Sequence, residues 1–285
     1  MNYRHAFHAG NFADVFKHAV LCRILMHLRA KPAAFRVIDS HAGAGLYDLT
    51  GPQATRSGEW RQGIERLCAA RLDATTAAWL APYLDVVGAL NGRDRLTVYP
   101  GSPALVRAWL RPQDRLIACE TEPKAAKALA GNLRGDARIK VLPIDGWTAL
   151  SAYVPPKERR GLVLVDPPFE QAGDFTRLWR GLAAAQRKWA TGLFMLWYPI
   201  KGRAEPEALA KALKRLRIGQ ILRAELMIAP LADPARLNGS GLILVNPPWT
   251  LEAELSALLP TLYAILAGHG KDGFRLDWLA GEAAG

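Results

Sequence analysis

The sequence predicts an α/β fold: a seven-stranded, mainly parallel sheet with an inserted helical subdomain. Three observations predict it. Short apolar runs recur at 35–38, 116–120, 139–143, 162–166, 193–198, 221–228 and 241–246, each of strand length and too short for a helix. Most are separated by helix-length segments, such as 122–133 and 174–190, the pattern of crossover connections between parallel strands. Several runs end on Asp, Glu or Asn, where the carboxyl edge of such a sheet meets a ligand.

Taken in order, residues 1–30 form an N-terminal motif and helix ahead of the first strand. That strand runs into Asp39-Ser40-His41-Ala42-Gly43-Ala44-Gly45, where Gly43 and Gly45 let the backbone approach a ligand closely. The loop lacks the third glycine of the dinucleotide fingerprint, so a nucleotide-like cofactor without a pyrophosphate fits it better. The next strand is far away. Residues 51–94 read as helical, with Trp60, Ile64 and Leu67, then Trp79, Leu80, Tyr83, Leu84 and Val87 at helical spacing. They form the insertion, and 1–50 with 95–285 make up the main domain. Pro100-Gly101-Ser102-Pro103 follows; Ser102 suits a helix N-cap and Pro103 a first helical residue, so 103–111 is the crossover helix. The last two strands are joined by 230–240, too short for a crossover helix, and are expected to form an antiparallel hairpin at one edge.

Asp166-Pro167-Pro168-Phe169 follows the apolar run 161–165. Two consecutive prolines remove two N–H donors, so the turn offers mainly carbonyl acceptors, backed by the Asp166 carboxylate. Phe169 adds a stacking face. Such groups suit a flat aromatic ring carrying an exocyclic amine. The amine of adenine is a poor nucleophile because its lone pair is delocalised into the ring. Two acceptors on its hydrogens, Asp166 and the Pro167 carbonyl, draw the nitrogen toward a tetrahedral shape and free that pair. The same residues also fit an ordinary strand-ending turn.

Glu120 ends the second strand, where a carboxylate accepts from ribose hydroxyls; nearby Glu122 fits a solvated helix position. Asp145-Gly146 ends the third strand and suits contact with a cofactor base, though it also reads as a plain turn. Asn246-Pro247-Pro248-Trp249 nearly repeats the Asp166 motif. In amino methyltransferases whose glycine loop comes first, the motif follows the fourth strand, which selects Asp166 and leaves Asn246 as a structural turn or a rim contact.

Five of the six histidines (His5, His8, His18, His27, His41) lie in the first 41 residues. Their spacing matches no zinc pattern, so no metal is expected. An N-terminal lobe over the crevice, in which imidazoles and Lys17 hydrogen-bond cofactor and substrate, accounts for them better.

The chain has 285 residues, 50% hydrophobic and 22% charged, enough for one large α/β domain with an insertion. Three cysteines without a C-x-x-C pair suggest neither a disulfide framework nor zinc and fit a reducing cytoplasm. No apolar stretch approaches a membrane span. The net charge of +11 and a pI near 9.8 predict attraction to a polyanion, and nucleic acid is the natural one.

Together, Tyr3-Arg4-His5-Ala6-Phe7-His8-Ala9-Gly10-Asn11, the Lys17-His18 pair, the Asp39–Gly45 loop, Pro100-Gly101-Ser102-Pro103, Asp166-Pro167-Pro168-Phe169 and Asn246-Pro247-Pro248-Trp249 resemble the RlmJ family of bacterial 23S ribosomal RNA adenine-N6 methyltransferases. The resemblance runs nearly end to end. It implies a Rossmann-like class I fold, with S-adenosylmethionine as cofactor and His18, His41, Ser102, Glu120, Asp145, Gly146 and Asp166 as its contacts. Tyr3, His5 and Lys17 match the N-terminal part of the active site, and Asp166 would also accept from the target amine. A monomer acting on 23S rRNA is implied, with the inserted helices contributing to RNA contact. Phe169 stands where Tyr is common and Ser40 where Thr is. A DNA adenine methyltransferase would use the same motif, and a glutamine methyltransferase of proteins would use the Asn246 type. An RNA-binding protein with a vestigial cofactor site is opposed by Asp166, Gly43 and Glu120 all being in place.

Overall fold

The computed structural model describes residues 4–92, 95–267 and 273–281. Its strands are β1 (Arg36–Asp39), β2 (Leu46–Asp48), β3 (Val98–Pro100), β4 (Arg115–Cys119), β5 (Ile139–Leu142), β6 (Gly161–Val165), β7 (Leu193–Ile200), β8 (Ile221–Met227), β9 (Gly239–Val245) and β10 (Phe274–Ala280). The helices are α1 (Phe12–Arg29), α2 (Pro52–Ser57), α3 (Glu59–Gln62), α4 (Ile64–Ala69), α5 (Ala74–Asn91), α6 (Ser102–Trp109), α7 (Pro123–Asn132), α8 (Gly146–Tyr153), α9 (Asp174–Lys188), α10 (Ala204–Arg215) and α11 (Leu251–Leu266), preceded by a 3-10 turn at His5–Phe7.

Eight strands, one more than predicted, form a single sheet in the order β10-β8-β9-β7-β6-β1-β4-β5. Neighbours from β5 to β7 pair in parallel. Their buried faces explain why these runs are apolar throughout rather than alternating. The β8–β9 hairpin is antiparallel as expected, but it does not lie at the edge: β10 pairs with β8 and covers it. The remaining pair, β2 and β3, is a three-residue ribbon outside the sheet that ties the glycine loop to the segment entering α6.

Helices cover both faces. On one face α1, α5, α6 and α11 share a hydrophobic cluster with the sheet; on the other, α8, α9 and α10 share a second. α1 is apolar nearly all round and lies between the sheet, α5 and α11, so Val15, Phe16, Val20, Leu21, Ile24 and Leu25 are fully buried. Its start is set by Asn11, whose Oδ1 accepts from the Ala13 and Asp14 amides. Three polar residues, Asp14, Lys17 and His18, are buried within this helix. Among the described residues no helix is long and apolar enough to cross a membrane.

Strand direction divides the molecule into two edges. Asp39 ends β1, and Glu120 and Asp166 directly follow the neighbouring β4 and β6, so the three lie side by side. β9 runs against β7, with Val245 opposite Phe194, so Asn246 emerges at the other edge.

Candidate active site

Asp166 sits one residue past β6 with its side chain 15% exposed, and one carboxylate oxygen accepts from Lys17 Nζ at 2.5 Å. Lys17 comes from α1 and also donates to Asp14 Oδ1 at 2.8 Å. Asp14 is a hub: its second oxygen lies 2.9 Å from His5 Nε2 and accepts from the Gly10 amide at 3.0 Å. Burial alone would raise the Asp14 carboxyl, yet the charges of His5 and Lys17 hold it well below the usual carboxylate range. Burial alone would lower the Lys17 ammonium, yet Asp14 and Asp166 raise it above its usual range. The lysine therefore stays charged and joins an N-terminal helix to a strand end 149 residues away. Lys17 bonds Asp166 directly and His5 joins them only through Asp14; Tyr3 lies outside the described residues.

Next to Asp166, a crevice at the carboxyl edge is lined by Ser40, His41, Glu120, Asp145, Gly146 and Pro167. Glu120 is locked by two backbone donors, Gly43 N at 2.9 Å and Glu122 N at 2.8 Å. Its rival Glu122 caps α7 by accepting from the Ala125 amide. Asp145 caps α8 through the Thr148 amide and has Arg177 3.8 Å away. Gly146 lies against the preceding loop: a Cβ there would stand 2.2 Å from the Ser40 carbonyl and 2.7 Å from the His41 ring. His41 packs edge-on against Trp147, and burial lowers its pKa to about 4, so the ring is a neutral hydrogen-bonding group.

Gly43 has φ +62, as its place in the loop requires, but an added Cβ would meet the Tyr47 hydroxyl at 2.1 Å. It thus faces the packed side of the loop, and its contribution to the crevice is the amide that fixes Glu120. Ser102 is not the N-cap of α6; Gly101 is. The Ser102 hydroxyl donates instead to Asp39 Oδ2 at 2.7 Å, because the β2–β3 ribbon brings the start of α6 against the end of β1. His18 sits behind Lys17, 1% exposed, its ring stacked on Tyr99 and its Nδ1 2.7 Å from the Tyr99 hydroxyl, which is bonded in turn to Tyr83. Burial lowers its pKa to about 3. Phe169 adopts a left-handed backbone, φ +51, and packs against Phe175 and Trp197.

Two residues of the site were missed in the sequence. Asp14 carries a faint signal, an acid three residues before Lys17 on an otherwise apolar helix. Asp39 heads the glycine loop but reads there as a strand end. It is fully buried, and burial pushes its pKa up to about 7 with Asp166 adding repulsion. Its Oδ1 has no hydrogen-bond partner. A buried carboxylate oxygen left open beside a glycine loop fits a donor on a bound ligand.

The second proline motif is elsewhere. Asn246 Nδ2 donates to the Ala190 and Gly192 carbonyls, each at 2.8 Å, at the edge opposite Asp166. It is a structural turn, and a rim contact with the crevice is excluded by that position.

The family model described as "RsmJ: Ribosomal RNA large subunit methyltransferase D, RlmJ" matches residues 32–280. The "Ribosomal RNA large subunit methyltransferase J" of Escherichia coli K12 is 38% identical over 282 residues, covering 99% of this chain and 100% of that protein. Its Haemophilus influenzae namesake is 36% identical over 284 residues, with the same coverage. The crystal structure of a Legionella pneumophila protein superposes with a TM-score of 0.86 at 31% identity, over 95% of this chain and 98% of that one. With the family model spanning most of the chain and relatives aligned end to end, this protein belongs to the RlmJ family of ribosomal RNA large subunit methyltransferases.

Proposed function

We propose that the protein transfers the methyl group of S-adenosylmethionine to the exocyclic N6 of an adenine in 23S ribosomal RNA. The observation that carries the reading is Asp166: a strand-end carboxylate with one oxygen held by Lys17, leaving the other for an amine hydrogen beside a glycine-loop crevice. When bound, the cofactor supplies an electrophilic methyl on a sulfonium. The crevice residues that would hold it are Ser40, His41, Glu120, Asp145 and Gly146; Ser102 and Asp39 lie outside that lining, bonded to each other, with Asp39 Oδ1 left open.

The chain's own part is positioning. The target base must be unpaired or flipped out of its stack, at about a few kcal/mol. Pro167 and Pro168 offer no N–H, so the amine meets acceptors: Asp166 and the Pro167 carbonyl. Lys17 keeps the Asp166 carboxylate aimed, and Asp14 keeps Lys17 and His5 in place. The amine becomes strongly acidic only as the methyl arrives, so its proton leaves late and no strong base is needed. The reading takes the enzyme as a cytoplasmic monomer, which light scattering of the pure protein checks.

Incubating the protein with isotopically labelled cofactor and unmodified 23S rRNA, then mapping the label by mass spectrometry of nuclease fragments, tests the assignment. Label on N6 of one adenine is the expected result. Label on another base, or on DNA in preference to RNA, overturns it.

A further inference from the structure

Among the described residues the crevice is poor in cations: Glu120, Asp145, Glu170 and Asp174 line it against Arg177. That charge suits a sulfonium and repels phosphates. The cations are at the other edge. The five segments leading into β1, β4, β6, β7 and β8 at their amino ends, 28–36, 111–115, 155–161, 187–193 and 214–221, hold thirteen Lys and Arg against two acids. The rest of the chain has twenty-four of each sign, so these five segments account for the net +11; at the same edge Glu252 and Glu254 open α11, with Glu254 paired to Arg23. Both acids within the segments are engaged, Asp114 buried against Arg111 and Glu158 paired with Arg36. Lys31, Lys157, Arg187 and Arg215 are exposed.

These segments are contiguous. Arg36 N donates to Arg160 O, Arg115 N to Phe35 O, and Asn246 N to Gln220 O. The two side-chain bonds of Asn246 anchor its turn to 190–192. That turn presents Trp249, 87% exposed, beside the basic segments. An indole left in water at the margin of a basic surface is a platform on which a base stacks.

Resting on the RNA substrate proposed above, we propose that this strand-entry edge is a second RNA-contact surface: phosphates lie against Lys31, Lys157, Arg187 and Arg215, and an unpaired base stacks on Trp249. A structured RNA is thereby anchored at one edge while its target base enters the crevice at the other. The acidic crevice then needs to bind only a base.

The test compares the unsubstituted enzyme with Trp249→Ala, Trp249→Phe and the quadruple variant Lys31→Gln, Lys157→Gln, Arg187→Gln, Arg215→Gln. Filter binding to a long 23S rRNA fragment is measured across a salt series, with calorimetry of S-adenosylhomocysteine as the control for fold and crevice. Each phosphate contact adds about 0.7 to the slope of log affinity against log salt for single strands. The quadruple variant should lose about 2 to 3 from that slope, and Trp249→Ala should weaken binding about 5- to 100-fold with Trp249→Phe close to normal. Cofactor affinity should not change. RNA affinity and slope equal to those of the unsubstituted enzyme in both the quadruple variant and Trp249→Ala overturn the proposal. Lost binding to phosphatidylserine vesicles with RNA binding intact assigns the edge to a membrane surface and overturns it as well. Failure of the underlying reading shows separately, as an unsubstituted enzyme that neither binds nor methylates RNA.

Discussion

Asp166-Pro167-Pro168-Phe169 and Asn246-Pro247-Pro248-Trp249 look like copies, yet the backbone bends at opposite ends of the proline pair. In the first the left-handed residue is Phe169, φ +51, after the prolines; in the second it is Asn246, φ +50, before them. Asp166 therefore keeps the strand's direction and reaches Lys17, while Asn246 folds back onto two carbonyls. Asp166→Ala is expected to lower methyl transfer at least about 10²-fold, the loss seen when one preorganised transition-state partner is removed, with the melting temperature nearly kept. Asn246→Ala should do the reverse, keeping kcat while losing about 1–3 kcal/mol of stability with its two hydrogen bonds. Single-turnover assays and thermal melts on both proteins check this, and an inactive Asn246→Ala beside an active Asp166→Ala would reverse the assignment. Order along the chain was enough to prefer Asp166 in the sequence. The reason Asn246 cannot compete was not legible, because it lies in the antiparallel pairing of β9 with β7, a long-range contact that four residues do not encode.

At the scale of elements, the parallel strands and their helices were legible because apolar runs and helix-length gaps are strong signals. The misses have physical causes. β2 and β3 are three residues each and too short for a period, and β10 is a half-exposed edge strand with little apolar content on one side. The glycines were legible as a loop but not by direction. Gly146, not Gly43, lines the crevice, and its missing Cβ points at the Ser40 carbonyl and the His41 ring, so Gly146→Ala should push those two aside and weaken binding of S-adenosylhomocysteine together with stability. Gly43→Val should also lower stability, since φ +62 and the Tyr47 hydroxyl both oppose it. Calorimetry paired with circular dichroism separates the two, and normal affinity in Gly146→Ala would show that the ligand lies elsewhere. The segment 51–94 has five basic and five acidic residues, so it is no basic lobe. Its Ile64, Leu67, Leu80, Tyr83 and Val87 belong to the same core as α1. Replacing it by a short linker is expected to unfold the chain, seen as lost cooperativity in a melt; a cooperative fold with normal cofactor affinity would show the insertion to be independent.

For the whole molecule, proton balance sets the acid limit. Burial holds His18 and His41 neutral down to about 3 and about 4, so between there and the ordinary 6.5 the unfolded chain takes up two protons that the folded one refuses. Asp39, raised to about 7, works the other way and takes up one in the folded state first. His27, lowered by burial, and His8, raised by Glu59, oppose one another, so the balance stays in favour of unfolding and stability should fall as pH drops from about 6.5 to about 4. Calorimetric melts over that range should show it, with a steeper fall in Asp39→Asn, where the opposing group is gone; a flat profile would mean the histidines are not held neutral.

The bond between Lys17 and Asp166 spans more than half of the chain. During synthesis α1 emerges early, its lysine beside Asp14 and without its second acceptor. Only after β6 has left the ribosome does the acceptor exist, and β7 to β10 must still follow to close the sheet around it. Nascent chains short of that length carry the strand-entry charges of 28–36 and 111–115 but no assembled centre. The site proposed above is thus incomplete while the chain is still on the ribosome, and its parts come together only when translation is nearly over.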